Sequence, residues 1–320
     1  MSGAPVPLAG AALETPKVGL LPLTSAHARR LAVPWMPVRL AATALSIAGL
    51  AVAAAVVLRS PVDEGPFLVA AALLAAVAGL SATSVGIYGA LLVPGLLLLG
   101  VEPRVAAPVS LLLQVLVIPV GAASHAAVGH VQRAITVPLI VGGVAGSVTG
   151  ALVASSIPAE LVARAAAFVV VVVGAIAVAT LRAGYVAGHL DREAIDPARI
   201  GGIGAVAGFA SGVSGVGWGP IGATLLIASR IDPRHAIGSL LVGRAVMAVA
   251  AVATYAVRAA TLGGSPLPPA LFLVLLAGSL GAVVPGTVLI SRLDRSRASL
   301  VVAVASIGLA LPTLLGAGGR

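Results

Sequence analysis

Long apolar runs separated by short polar turns make up most of this chain. The first run covers 38–58, about 21 residues, which is enough to cross the hydrocarbon core of a bilayer as one helix. Ten further runs lie at 67–83, 89–100, 104–126, 134–156, 160–181, 199–213, 218–229, 234–257, 268–290 and 298–315. Backbone polar groups find no water in lipid, so spanning segments must satisfy them internally. The pattern therefore predicts an all-α polytopic membrane protein.

One long polar stretch, HLDREAIDPAR at 189–199, divides the apolar part into two halves of similar length. The predicted organisation begins with a cytoplasmic tail at 1–37 and an extra N-terminal transmembrane helix with its loop at 38–65. A first transmembrane repeat follows at 66–188, then a polar linker at 189–198 and a second transmembrane repeat at 199–320. Arg29 and Arg30 resemble a twin-arginine signal, but the apolar run after them is longer than that of a signal peptide. We therefore expect the first helix to be retained.

The two halves repeat each other at an offset of 130 residues. SATSVGIYGALL at 81–92 aligns with SGVSGVGWGPIG at 211–222, which pairs serines, glycines and an aromatic residue. The register continues from EPRVA at 102–106 to DPRHA at 232–236, an acidic residue followed by Pro and Arg in both. Such self-similarity at a fixed offset indicates an internal duplication.

Each half opens with two short apolar pieces separated by a glycine-rich break. If each pair forms one long span, the halves point the same way; if each pair is a hairpin of half-length helices, they are inverted. Lys and Arg accumulate in cytoplasmic loops, so their placement discriminates between the two. The hairpin arrangement puts thirteen basic residues on the N-terminal side and five on the other, against eleven and seven for the single-span arrangement. The five are Arg59, Arg104, Arg164, Arg258 and Arg320. The sequence favours two inverted repeats with Gly-broken or re-entrant helices and a cytoplasmic N-terminus.

Composition supports lipid as the main solvent of the chain. Hydrophobic residues make up 59% of the 320 residues and charged residues 9%, with a mean hydropathy of +1.14. A net charge of +9 would suggest nucleic acid in a soluble protein, but the basic residues stand mostly at the ends of apolar runs. Three Tyr, two Trp and four Phe leave few rings to stack on bases. We expect the bilayer, and not nucleic acid, as the partner.

Several function classes lack their residues in this sequence. The absence of cysteine removes disulfides, thiol nucleophiles and thiolate metal sites. Five histidines and ten acidic residues show no HExxH or aspartate-cluster spacing, and no GxxxxGK loop is present to hydrolyse ATP. We expect no metal, no cofactor and no catalytic residue, hence a protein that is not an enzyme. Any driving force must come from a gradient or another subunit.

The two glycine-rich breaks are the first candidates for chemistry. A break inside the membrane exposes backbone N–H groups, and the next helix adds the positive end of its dipole, so two facing breaks form an anion site. The groups that would contribute backbone, hydroxyl or aromatic surface are Ser84, Gly86, Tyr88, Gly89, Ser211, Ser214, Gly215, Gly217, Trp218 and Gly219. The alternatives are that the glycines only allow close packing and that the serines bond their own helix backbone.

Arg244 is the basic residue predicted at the membrane midplane. It lies ten residues into the helix that begins near Arg234, hence about 15 Å deep in a core about 30 Å thick. A lone charge there costs at least about 2.5–3.5 kcal/mol on insertion scales. Its equivalent at the offset of 130 is Gln114, although Ser110 and Ser239 align at 129. We interpret Arg244 as an anion ligand or gate; the alternative is a structural residue satisfied by carbonyls of a neighbouring helix end.

Three histidines lie near predicted membrane ends. His125 and His130 flank a short loop, and His235 follows a proline. Histidine titrates in the range where proton coupling operates, so His125 is the candidate proton carrier. The alternative is that these side chains are solvated or cap helix ends.

Other conspicuous residues have structural explanations. Asp232–Pro233 and Glu102–Pro103 each combine a carboxylate N-cap with proline at the first helical position, which predicts a helix start. Gly142, Gly146 and Gly150 lie four residues apart on one helical face. This spacing predicts a groove for packing against another helix.

Three stretches resemble a known family. GFASGVSGVGWG at 208–219 is similar to the glycine-rich signature of the sulfite exporter TauE/SafE family of anion transporters. AIGSLLV at 236–242 and the stretch at 125–165, with its loop and Gly-spaced helix, are similar to further parts of that family. The resemblance covers about 66–315. VGIYG at 85–89 departs from the family pattern, because bulky residues replace glycines there.

The resemblance implies a secondary transporter or permease for small sulfur-containing or organic anions, such as sulfite or sulfonates, across the cytoplasmic membrane. It also implies proton coupling and export. The predicted substrate-binding residues are Ser84, Gly86, Tyr88, Gly89, Gln114, Ser211, Ser214, Gly215, Gly217, Trp218, Gly219, Ser239 and Arg244. The alternative is a membrane structural or assembly subunit that uses the same fold without transport. A homo-oligomer and an unknown membrane partner both stay open.

Overall fold

The computed structural model describes residues 35–84, 88–127, 129–182, 196–217, 219–229, 231–262, 268–292 and 295–316. These residues form helices and short connections, with no strand among them. The helices are α1 Trp35–Arg59, α2 Gly65–Ser84, α3 Gly89–Leu98, α4 Pro103–Ala127, α5 Arg133–Ser156, α6 Ala159–Arg182, α7 Pro197–Ser214, α8 Gly219–Ala228, α9 Pro233–Leu262, α10 Pro269–Arg292 and α11 Arg295–Leu314. Each apolar run of the sequence corresponds to one of them, so the all-α prediction is confirmed.

Four helices are long and apolar enough to cross a bilayer within the described part of the chain. Their spanning stretches are Gly65–Ala82, Arg133–Ser156, Ala159–Ala179 and Arg234–Thr261. Shorter apolar stretches occur in α1, α3, α4, α10 and α11. Many large apolar side chains on these helices face outwards, among them Phe168 and Val249 with 59% and 52% of their surface exposed. Outward apolar surface of this extent suits lipid contact.

Helices begin where the sequence places acidic-proline pairs. Proline is the first residue of both α4 and α9, as the Glu102–Pro103 and Asp232–Pro233 pairs predict. The Asp232 carboxylate accepts a hydrogen bond of 2.8 Å from the backbone N–H of Arg234. Asp196 caps α7 in the same way through Ala198, at 2.9 Å. A carboxylate at this position satisfies one of the free N–H groups of the first turn.

Helices α5 and α7 pack backbone to backbone over most of their length. A Cβ atom at Gly142 would clash with the carbonyl of Gly201, and one at Gly150 would clash with the carbonyl of Phe209. From the side of α7, Gly204 lies equally close to the carbonyl of Leu139. The contacting positions advance together along both helices, so α5 and α7 run parallel. The packing groove predicted from the glycine spacing is confirmed.

Helix α10 packs against both α1 and α2 through similar small residues. Gly278 lies against the backbone of Ala72, and Gly79 lies against that of Ser279. On the other side, Gly49 of α1 lies against the backbone of Ala277. Further contacts pair α4 with α9 and α6 with α11. If the two halves are repeats, as the sequence predicts, the contacts of α5 with α7 and of α10 with α2 are equivalent. Each joins the fourth helix of one half to the first helix of the other.

Helices α4 and α9 run in opposite directions. At one end, the start of α4 and the end of α9 both reach the turn between α5 and α6: Arg104 Nη2 donates to the carbonyl of Ile157 and Arg258 Nη2 donates to Ser156 Oγ, each at 3.1 Å. At the other end, the loop after α4 reaches the start of α9, where the backbone N–H of Gln132 donates to Ser239 Oγ at 3.0 Å. Because the start of each helix lies near the end of the other, α4 and α9 are antiparallel.

The short helix α3 lies in the interior of the bundle. Its residues from Gly89 to Leu97 are all buried. Helices α2, α4, α6 and α11 enclose it. An apolar helix this short cannot cross a bilayer by itself, so it needs surrounding protein to cover its ends. The start of α3, at Gly89, therefore lies within the protein.

Candidate functional site

The second break depends on two glycines in the left-handed region. Helix α7 ends at Ser214, and Gly215 and Gly217 follow with φ of 68° and 70°. Residues with a Cβ atom rarely adopt this region, which explains glycine at both positions. Ser214 Oγ donates to the carbonyl of Ala210 at 2.6 Å and accepts the N–H of Val216 at 3.1 Å. Ser214 therefore makes local bonds that help to end the helix, one of the two alternatives that its sequence context allows.

Side chains of α4 hold the carbonyl of Gly215. Ser110 Oγ donates to it at 2.8 Å and Gln114 Nε2 donates to it at 3.0 Å. Gln114 Nε2 also lies 3.3 Å from Ser110 Oγ. The Cα atom of Gly215 itself packs against Ala107, because a Cβ would come within 2.5 Å of the Ala107 Cα. The second break is thus fixed to α4, the second helix after the first break.

Arg244 completes this cluster from α9. Its side chain is buried, with 6% of its surface exposed. Arg244 Nη2 donates to Gln114 Oε1 at 3.1 Å, across a separation of 130 residues along the chain. Gly217 lies against both groups, since a Cβ there would contact Gln114 Oε1 and come within 2.8 Å of Arg244 Nη2. Gln114 and Arg244, which the sequence predicts to be equivalent, are therefore in direct contact beside the second break.

The start of α3 packs on the second glycine-rich break. Gly89, the first residue of α3, packs so closely on Val216 that a Cβ would clash with the Val216 carbonyl. The neighbouring Tyr88 is buried, and its hydroxyl lies 2.7 Å from Ser279 Oγ of α10. Helix α8 begins at Gly219, directly after the second break. The N-termini of α3 and α8 thus both lie near the contact between Gly89 and Val216.

Other predicted site residues lie apart from Arg244 or outside the described residues. Ser211 and Ser239 are buried, and Ser239 Oγ accepts its hydrogen bond from the loop at Gln132. Gly86, Trp218 and the side chain of Ser84 fall outside the described residues. The contacts therefore join Gln114, Arg244 and the second break directly, while Ser239 belongs to the contact between α9 and the loop after α4.

His125 and His130 form a pair at the end of α4, beyond the apolar stretch Pro103–Pro119. Their Nδ1 atoms are 3.3 Å apart. Burial lowers the pKa of His125 below its ordinary value, and the charge of His130 lowers the pKa further. The ring of His235 stands edge-on to that of His130, with 6.3 Å between ring centroids. The three histidines predicted near membrane ends thus lie together, beside the start of α9.

The electrostatics of the site rest on one positive charge. Arg244 is the only buried charged side chain in the part of the chain that the structure describes. No group of three or more His, Cys, Asp or Glu side chains there is placed to hold a metal ion. Gln114 and Gly217, which lie beside the guanidinium among the described residues, offer a neutral amide and glycine backbone. Such a set favours an anion, because neutral donors and one cation can compensate a negative charge.

Comparison with known proteins identifies the family of this chain. The family model described as sulfite exporter TauE/SafE matches residues 70–313. The chain belongs to the TauE/SafE family. It is also 25% identical over 175 residues to the probable membrane transporter protein YtnM of Bacillus subtilis (strain 168), an alignment that covers 52% of this chain and 57% of that protein. No solved structure matches the chain.

Membership in TauE/SafE makes the chain a multi-pass membrane protein of a transporter family, in agreement with its apolar helices. The matched residues 70–313 include both breaks, Gln114 and Arg244, and begin after α1. The candidate site therefore lies in the part of the chain that the family shares.

The sequence of this TauE/SafE chain did not lead us to predict that Ser110 contacts the second break, at Gly215, or that Ser279 contacts Tyr88 beside the first. Ser110 precedes Gln114 by one helical turn, so the spacing i, i+4 placed both on one face of α4. That signal was available. No local signal pointed to Ser279, because its partner Tyr88 is 191 residues away in the chain.

Proposed function

We propose that this protein is a secondary transporter of small sulfur-containing or organic anions, such as sulfite or sulfonates, across the cytoplasmic membrane. The observation that carries the proposal is the buried contact of Arg244 with Gln114 beside Gly217, at the point where the two broken helices meet. A charged residue at membrane depth is costly and commonly marks a substrate path.

The chemistry of anion binding follows from the donors at this point. The guanidinium of Arg244 offers several N–H groups in a planar fork that suits carboxylate and sulfonate oxygens. Gln114 Oε1 accepts one of them in the described conformation. An entering anion would replace that oxygen, and the helix N-termini of α3 and α8 would add a favourable electrostatic field. A side chain at Gly217 would press on both groups that take part in this exchange.

The proposed architecture is two inverted repeats with an added N-terminal helix. Equivalent helices α4 and α9 run in opposite directions, as the contacts at both of their ends indicate. Helix α7 runs parallel to α5 and so starts at the end of the bundle where α9 also starts. The pair α7 and α8 therefore returns to its starting side, which supports the hairpin arrangement. Helix α1 precedes the residues matched by the family.

Access to the site would alternate between the two sides of the membrane. Arg244 is almost fully buried, so an anion reaches it only after the contacts around it separate. The hydrogen bonds at the site join α4 of one half to α9 and the break of the other half. Movement of one half against the other would open this interface, as inverted-repeat carriers do.

Proton coupling would use the histidine pair at the end of α4. The basic residues predict this end to be cytoplasmic, together with the N-terminus. A lowered pKa keeps His125 neutral at neutral pH and ready to accept a proton as the pH falls. We thus propose the proton as the coupling ion, export as the direction of transport and a small sulfur-containing or organic anion as the substrate.

The direct test is anion uptake by the purified protein in proteoliposomes. We expect Arg244→Ala to reduce uptake by about 10- to 100-fold, because a hydrogen bond to a charged group contributes about 1.5–3 kcal/mol. Arg258→Ala is the matched control, since Arg258 lies on the same helix with an exposed contact to Ser156. Unchanged uptake by Arg244→Ala would show that the site is wrong.

The same preparation distinguishes transport from the alternative of an assembly subunit. Uptake of a labelled sulfonate or sulfite by the isolated chain supports transport. A partner that co-purifies at a fixed stoichiometry, together with no uptake and no thermal shift with any of these anions, would support the subunit instead.

A further inference from the structure

The end of α7 leaves a backbone carbonyl for a side chain to satisfy. The N–H of Gly215 donates to the carbonyl of Ser211 at 2.8 Å, which continues the helical pattern one residue past Ser214. The next donor in that pattern would be the N–H of Val216, but it donates to Ser214 Oγ. The carbonyl of Gly212 is therefore left without its helical partner, as the last carbonyls of a helix are.

Tyr255 of α9 supplies a donor for this carbonyl. Its hydroxyl donates to the carbonyl of Gly212 at 2.7 Å, across 43 residues of the chain. Tyr255 lies within Arg234–Thr261, a stretch that is long and apolar enough to span a membrane. Lipid offers no water to satisfy a free carbonyl at such a depth. The hydroxyl of Tyr255 thus closes the end of the broken helix.

The ring of Tyr255 is packed independently of its hydroxyl. It packs against the apolar cluster formed by Leu111 of α4, Ala151 of α5, and Ala248 and Ala251 of α9. Removal of the hydroxyl alone therefore leaves the ring its packing partners, and a change in the protein can be attributed to the lost hydrogen bond.

The second break is held from two sides. Side chains of α4 hold the carbonyl of Gly215, three residues after the carbonyl that Tyr255 holds from α9. Two residues further along the chain, Gly217 lies so close to Arg244 that a Cβ would come within 2.8 Å of its Nη2 atom. The two anchored carbonyls thus precede the residue that contacts the candidate anion ligand.

We propose that Tyr255 is a positioning residue of the transport site, because its hydroxyl closes the end of α7 and so holds Gly217 beside Arg244. The inference rests on the transport function proposed above. Without the hydroxyl, the next donor for the carbonyl of Gly212 is the N–H of Val216. That N–H can serve only if the helix extends into the break, which displaces Gly217. The site would then be correctly arranged in only part of the molecules, and the apparent affinity for the anion would fall by that fraction.

The first test measures uptake kinetics of sulfite and methanesulfonate in proteoliposomes. Tyr255→Phe removes the hydroxyl and keeps the ring. Thr254→Val is the matched control, because it removes a neighbouring hydroxyl that donates only to its own helix, to the carbonyl of Ala250 at 2.8 Å. We expect Tyr255→Phe to raise KM by about three- to tenfold, the effect of one hydrogen bond, with Vmax within about twofold of the wild type. Thr254→Val should keep both constants.

The second test observes the break directly by fluorescence. Trp218 follows Gly217 in the chain, and Trp35 is the only other tryptophan, so Trp35→Phe leaves one emitting tryptophan at the second break. In this background we expect Tyr255→Phe to change the emission maximum of Trp218 and its quenching by acrylamide. Thr254→Val should change neither. Both are measured well below the unfolding midpoint of each variant, where a general loss of stability has no effect on the emission.

The outcomes separate this inference from the function on which it rests. Wild-type KM and unchanged Trp218 emission in Tyr255→Phe would overturn the positioning role, and so would a lower unfolding midpoint as the only effect. If Arg244→Ala loses uptake while Tyr255→Phe behaves like the wild type, the proposed function stands and only this inference fails. Full uptake by Arg244→Ala, or no uptake of either anion by the wild type, would reject the proposed function and this inference with it.

Discussion

Gly217 combines a backbone requirement with a steric one. Its φ of 70° is unfavourable for any other residue, and its Cα lies against Gln114 and Arg244. A side chain here would affect the chain conformation and the contact between the two polar groups at once. The residue therefore links the broken helix to the charge beside it.

We expect Gly217→Ala to abolish most anion uptake. The left-handed conformation costs a residue with a Cβ about 1–2 kcal/mol, and the new methyl group would push against the Gln114–Arg244 pair. Gly100→Ala is the matched control, because Gly100 has a φ of 82° and no atom near its Cβ position. Both variants should lose similar stability in a detergent thermal melt, and only Gly217→Ala should lose uptake. Equal uptake by the two variants would show that Gly217 matters for backbone conformation alone.

The Arg244–Gln114 contact illustrates how a repeat can predict geometry. Arg244 was identified from its depth in the helix and Gln114 from the offset of 130, and the two side chains are in contact. The contribution of Ser110 was less visible, because its hydroxyl donates to the carbonyl of Gly215, 105 residues away. The sequence identified the charged residue, but the neutral groups that orient its partner depend on packing between helices.

At the scale of helices, the contact between α5 and α7 depends on the absence of side chains. Glycines on both helices bring backbone carbonyls against the opposite Cα atoms. Helices in lipid gain little from hydrophobic burial, so close packing of small residues provides much of their association. The spacing of Gly142, Gly146 and Gly150 was enough to predict that a groove exists. It could not show that the partner is α7 of the other half.

We expect Gly204→Ala to destabilise the protein and Gly202→Ala to leave it intact. A methyl group at Gly204 would clash with the carbonyl of Leu139, whereas Gly202, on the same helix, has open space at its Cβ position. Overpacking of this kind costs about 1–3 kcal/mol, while alanine in an open helical position is favourable by up to about 1 kcal/mol. Unfolding midpoints in detergent measure the difference. Equal midpoints would contradict the backbone-to-backbone contact.

At the scale of the whole molecule, the two ends of the bundle differ in their side chains. Arg104 and Arg258 meet at the turn between α5 and α6, and the histidines and Gln132 meet at the opposite end. Both arginines belong to the five basic residues that the sequence assigns to the outer side. The structure thus groups them at one end, independently of any charge count.

The orientation in the membrane can be measured by cysteine labelling, since the natural chain has no cysteine. We expect Ala127→Cys, at the histidine end, to react with a membrane-impermeant maleimide only after the cells are opened. Ser156→Cys, at the arginine end, should react in intact cells. Both positions are exposed, so accessibility depends on the side of the membrane. The reverse labelling pattern would invert the proposed topology.

The sequence by itself determined the helical segments and the family, and it predicts the duplication and the one charge at depth. These features depend on hydrophobic runs, on a constant offset and on residue types, all of which can be read locally. The tertiary structure decided which helices touch, that Gly215 and Gly217 lie against α4, and how the amide of Gln114 is oriented. The last two features arise from contacts between residues more than 100 positions apart, and such contacts leave no local pattern in the chain.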